Sequence, residues 1–150
     1  MKHALLIVAL VIAPGCNSPV APSPLSPNYF LSAVDGHPLP ALYNANGDVL
    51  VAASLDFKST LRTRNGPAKL VSYSISVDQH AYSLMHSTVE LGYTISDGVL
   101  RIDLCPPIAA CLVSTELVGP IADRTSELVL TSYVNGAKGS VYRYFPSLPE

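Results

Sequence analysis

The sequence predicts an all-β domain, an antiparallel meander of about eight to ten short strands that closes into a small barrel. Three observations lead there. Apolar and polar residues alternate with a period of two in one segment after another between Tyr29 and Phe145. Turn-forming pairs such as Asp35-Gly36, Asp97-Gly98 and Asn135-Gly136 punctuate the segments. No segment keeps a helical period, and Gly119-Pro120 interrupts the one stretch, Leu117 to Leu130, that could be forced onto one. Closing the meander removes the exposed edges that an open sheet must protect. A β-sandwich is the alternative, and its crossovers need longer connections than most of these turns allow.

Taken in order, the chain begins with Lys2 and His3, an apolar run from Ala4 to Ala13, and then Pro14-Gly15-Cys16. Ten apolar residues are too few to cross a hydrocarbon core about 30 Å thick as a helix, so residues 1–15 are expected to be a secretion signal. The segment from Cys16 to Pro27 holds prolines at 19, 22, 24 and 27. Proline fixes φ and removes donors, which predicts an extended spacer reaching about 30 Å at ~3.1 Å per residue. Residues 28–150 then form one domain. At 150 residues, 49% hydrophobic and 13% charged, the chain can bury one real core and is short for two.

Within the domain, Tyr29 to Val34 reads as a strand and Asp35 to Pro40 as its turn. Val49, Val51, Ala53, Leu55 and Phe57 alternate with Leu50, Ala52, Ser54, Asp56 and Lys58, a short segment runs from Leu61 to Arg64, and Asn65-Gly66-Pro67 reads as a turn. Val71, Tyr73, Ile75 and Val77 alternate with serines, which suggests that these four face the core. Ala81 to Val89 continues into the clearest hairpin of the chain, Glu90 to Leu104, where Leu91, Tyr93, Ile95, Leu100, Ile102 and Leu104 share parity around Asp97-Gly98. Strands over Leu112 to Val118, Glu127 to Tyr133 and Ser140 to Phe145 complete the count, the last two joined by a loop over residues 135–139.

Two stretches carry a resemblance. Gly15-Cys16 after an apolar run is similar to the lipobox of bacterial lipoproteins, which implies diacylation of the Cys16 thiol, cleavage after Gly15 and acylation of the new amino group. An ordinary signal peptide that contains a cysteine is the alternative. Asn17 is not the Asp that retains enteric lipoproteins in the inner membrane, so the implied location is the outer membrane. The run Tyr29-x-Leu31-x-x-Val34-x-Gly36-x-Pro38-Leu39-Pro40, with Gly92-Tyr93-x-Ile95 before Asp97-Gly98, resembles uncharacterised bacterial lipoproteins whose mature domains look like small lipocalin-like β-barrels. That resemblance brings no catalytic residue and no cofactor with it.

The chemistry-bearing residues are sparse. Loss of Lys2 with the signal leaves eight basic and eleven acidic side chains, a net charge of −3, and the basic residues are scattered singly, which argues against nucleic acid as a partner. His80 and His86 share a strand parity but stand about 20 Å apart at ~3.3 Å per residue, too far for one metal. Gly136 to Ser140 lacks the spacing of a phosphate loop, and neither a G-x-S-x-G nor an H-E-x-x-H motif occurs. No catalytic residue, metal site or cofactor is therefore nominated. Cys105 and Cys111 flank a five-residue loop; outside the cytoplasm they are expected to pair, two free buried thiols being the alternative. If the barrel holds a small apolar ligand or lipid, parity nominates Tyr73, Tyr93 and Ile102 as cavity residues. If its interior is filled, the expected role is that of an envelope adaptor whose outer surface meets another protein.

Overall fold

The computed structural model describes residues 25–42, 47–57, 65–78, 81–106 and 109–147. The expected signal, Cys16, most of the expected tether, the short segment from Leu61 to Arg64 and His80 lie outside them. The described residues form ten strands and no helix: β1 (Asn28–Val34), β2 (His37–Pro38), β3 (Ala41–Leu42), β4 (Val49–Phe57), β5 (Asn65–Asp78), β6 (Ala81–Ser96), β7 (Val99–Asp103), β8 (Thr115–Pro120), β9 (Leu128–Val134) and β10 (Ala137–Pro146). All pairings are antiparallel. From β4 to β10 each strand lies beside its neighbour in sequence, and β1 pairs with both β10 and β4. Eight strands thus close into a barrel, as the alternation and short turns predict, and the sandwich is excluded.

The turns explain the meander locally. Asp35-Gly36, Asp97-Gly98 and Asn135-Gly136 each have positive φ at both residues, between 49° and 81°. Two such residues make the tight turn whose twist matches that of the flanking strands. The last of them replaces the five-residue loop expected over 135–139, because β10 starts at Ala137 and pairs at once with Val134. Asn65-Gly66-Pro67 is likewise not a turn. It opens β5 and pairs with Thr94, Tyr93 and Gly92. Among the described residues, pairing of β5 with β4 starts at Ala68.

One end of the barrel, its base, is solid. Tyr29, Phe57 and Tyr93 meet edge to face there, with ring centroids 5.9 and 5.2 Å apart. Leu55, Leu100, Ile102 and Leu130 around them have no exposed surface. Leu25 and Ser26 are also buried and cross the base, where the Ser26 N–H donates to the Tyr29 hydroxyl at 3.1 Å and the Phe57 N–H to the Pro27 carbonyl at 2.8 Å. The described chain therefore enters at the base. It also leaves there, since the Ser147 N–H donates to the Asn28 carbonyl. Gly119 marks the tightest packing in this wall: a Cβ on it would collide with the Val129 carbonyl and the Leu130 side chain.

Which face points inward follows expectation on β6 and β7 and departs from it on β4 and β5. Leu91, Tyr93, Leu100 and Ile102 are buried inside. On β4 a bulge between Leu50 and Ala52 shifts parity, so Leu50 points inward with Ala53, Leu55 and Phe57, while Val51 is exposed. On β5 the inward residues are Ala68, Leu70, Ser72 and Ser74, and Tyr73 points outward, 41% exposed. The reason is register: Ala68 pairs with Leu91 and with Phe57, which sets the even positions of β5 on the core side. Urea unfolding should reflect this contrast. Ile102→Ala is expected to lose about 2–5 kcal/mol, and Tyr73→Ala about 1 kcal/mol or less.

Candidate functional site

The structure separates the three residues nominated as cavity lining. Tyr93 and Ile102 point inward but are packed into the solid base, Tyr93 against Phe57. Tyr73 stacks on His86 across the outer face of β5 and β6, ring centroids 4.8 Å apart and planes at 25°. Among the described residues an inner cavity is lined by Leu31, Leu50, Leu70 and Leu104 with Ser72, Ser74, Tyr142 and Tyr144, towards the opposite end, the mouth. Its volume is about 90 Å³. Ligand pockets usually occupy about 300–1,000 Å³, and an apolar cavity known to take up benzene measures about 150 Å³. Periodicity alone could have suggested Tyr142 and Tyr144, which share parity on β10, but not the serines.

The wall built by β3 to β6 has the opposite character. Leu42 pairs with Val49, Val49 with Ile75, and Ile75 with Leu84, so four apolar side chains form one row across four strands on the outer face. Leu42 is 73% and Leu84 is 70% exposed. The next row towards the base is Ala52, Tyr73 and His86. On the inner face of the same hairpin, Ser72 sits opposite Ser87 and Ser76 opposite Ser83. The upper hairpin is thus apolar outside and hydroxyl-rich inside, the reverse of a strand pair whose core lies within the barrel.

A second outer depression, of about 380 Å³, lies over β6, β7 and β8. Arg101 and Glu116 line it and pair with each other at 3.3 Å, with Asp103 beside them. The Asp103 carboxylate accepts the Cys105 N–H at 2.9 Å and starts the loop at the mouth. Cys105 and Cys111 are joined in a disulfide, Cα atoms 5.9 Å apart. Closing a loop of this length contributes about 2.4 kcal/mol in the chain-entropy treatment. Among the described residues no three His, Cys, Asp or Glu side chains converge on a metal-sized site.

Among the described residues, Tyr29 and Asp123 depart from their ordinary behaviour, both near the base. Burial raises the Tyr29 phenol. Asp123, in the turn between β8 and β9, accepts from the Thr125 hydroxyl and N–H and from the Ser126 hydroxyl at 2.6–2.8 Å, and these bonds hold its carboxyl at about 2. Both shifts have structural causes and neither lies near the cavity or the apolar wall. Comparison with protein-family models, curated proteins and solved structures finds no match for this chain. Function is read from the chemistry of the surfaces alone.

Because the Asp123 pKa is depressed on folding, the stabilisation of its turn is fully present above the ordinary carboxylate value near 3.8 and is lost as pH falls through about 2. Side-chain carboxyl NMR should give a midpoint near 2 for Asp123, and Thr125→Ala should move that midpoint up towards the usual range.

Proposed function

We propose that this protein is a non-catalytic adaptor of the cell envelope, tethered to the outer membrane by lipid on Cys16, and that it meets another envelope protein through the outer wall of β3 to β6. The observation that carries this reading is the apolar row of Leu42, Val49, Ile75 and Leu84 on the outside of a wall whose inner face holds serines. Contiguous apolar surface on a soluble domain is characteristic of interaction sites. The filled base and the 90 Å³ cavity favour an adaptor over a lipid carrier, because neither a fatty acid nor an isoprenoid fits a space that small. Polarity of the barrel supports a protein partner over the bilayer. The described chain enters at Leu25 to Pro27, beside the base, whereas the β5–β6 hairpin reaches past the mouth. The hairpin and the apolar row thus lie towards the end of the barrel away from the point where the described chain begins.

The test uses the full chain in its host, with a photo-crosslinking residue at Ile75 on the outer wall or at Ser72 on the inner face. A discrete adduct with a different protein is expected from position 75 and none from position 72. Equal yields at the two positions, or adducts with lipid alone, would overturn the adaptor reading. Metabolic labelling with a fatty acid should mark the wild type and leave Cys16→Ser unmarked. Native mass spectrometry of the folded protein should show no lipid retained in the barrel.

A further inference from the structure

The hairpin of β5 and β6 has a side that the barrel does not use. β6 runs for sixteen residues, and β7 pairs with it only from Gly92 to Ser96. From Tyr82 to Val89 its partner is β5 on one side, and no described strand lies on the other. Tyr82 to Thr88 are all exposed, with Tyr82 at 81% and Met85 at 54%. Alternate residues along this edge present backbone N–H and C=O groups to solvent. Exposed edges are normally guarded by Lys, by Pro, by a bulge or by shortness. The segment Tyr-Ser-Leu-Met-His-Ser-Thr-Val contains no Pro and no acidic or basic residue other than His86, and its pairing with β5 is unbroken.

The geometry points to a second copy of this chain as the occupant, pairing β6 with β6 in antiparallel fashion about a two-fold axis through Met85. Side chains must stay on their own face, so paired positions must have the same parity. Any axis through a residue meets that condition, and Met85 is the midpoint of the exposed stretch from Tyr82 to Thr88, so an axis there pairs the whole of it. It sets Leu84 opposite the partner's His86 and Tyr82 opposite the partner's Thr88 on the outer face. On the inner face Ser83 lies opposite the partner's Ser87, and Met85 opposite its own copy. No like-charged carboxylates or ammonium groups face each other, although the chain as a whole carries a net charge of −2. Each barrel holds its β6 from Gly92 onward, and antiparallel pairing sends the two barrels to opposite ends of the shared ribbon. The apolar row then becomes continuous, since the Leu42–Val49–Ile75–Leu84 row of one copy runs into His86 and Tyr73 of the other. This pairing uses the strand edge rather than the outer face, so it stands or falls separately from the adaptor role.

Cysteine crosslinking in the full-length protein tests the register. Met85→Cys should form a covalent dimer in most of the chain on mild oxidation or with a short bis-maleimide. Val89→Cys, whose copies would lie eight residues apart along the ribbon, should stay monomeric, as should the wild type. Adding Leu84→Lys and His86→Lys to Met85→Cys sets Lys against Lys and should abolish the dimer. Replacing them with Leu84→Lys and His86→Glu sets Lys against Glu and should restore it. A circular dichroism spectrum unchanged among the variants distinguishes lost pairing from lost folding. No crosslink from Met85→Cys, equal crosslinking from Val89→Cys, or failure of the Lys/Glu variant to recover in a folded protein would overturn the proposal.

Discussion

The pairing of large residues on β6 with small ones on β5 governs this fold. Tyr93 lies opposite Gly66, and Leu91 lies opposite Ala68. The space left by the small residues is taken by Phe57, which pairs with Ala68 from the other side and meets the Tyr93 ring edge to face. A slip of one residue would put Pro67 and Lys69 where Gly66 and Ala68 sit and would turn the aromatic cluster out of the base. With that register fixed, every position further up the hairpin is fixed as well. Ser72 and Ser74 must face inward, and Val71, Tyr73 and Ile75 must face out. The apolar outer wall is thus a consequence of packing at the other end of the same strands.

Much of the fold was legible in the sequence because it is written in local signals. The Asp-Gly and Asn-Gly turns need positive φ at adjacent residues, and the hairpin from Glu90 to Leu104 alternates without interruption, so its turn, its strands and its inward face could all be read directly. The faces of β4 and β5 could not. A period of two says that a strand has two faces and does not say which is inside. On β4 the bulge at Val51 breaks the count partway along, and on β5 the more apolar face is the outer one. Tyr73 was therefore assigned to the core on a sound rule that the register of a neighbouring strand overrides. The mismatch in length between β6 and β7 was equally hidden, because it depends on where the disulfide loop leaves the sheet and not on any property of Tyr82 to Val89 themselves.

The barrel is graded from end to end. Aromatic and large aliphatic residues fill the base, leucines line the middle, and serines with Tyr142 border the mouth. Burial of the first group provides the favourable term, and each fully buried aliphatic or aromatic side chain contributes about 1.5–3 kcal/mol relative to exposure. The hydroxyl-lined upper hairpin adds little of this kind. Its stability rests on the β5–β6 ladder and on the closed barrel below it, so the surfaces available for recognition stand on the least deeply packed part of a rigid support.

The seam of the barrel sets an order of events in the making of the protein. β1 is held to β4 by only three residue pairs, and its longer contact is with β10. The Ser32 hydroxyl donates to the Arg143 carbonyl, 111 residues further along the chain. Closure therefore waits until the last strand has been made and delivered, and a nascent chain holding only the first nine strands is a curled sheet with an unsatisfied margin along β1. Contacts of such long separation are costly in loop entropy and form late. While Ala137–Pro146 is still held elsewhere the barrel stays open, and the docking of β10 between β9 and β1 is the step that shuts it.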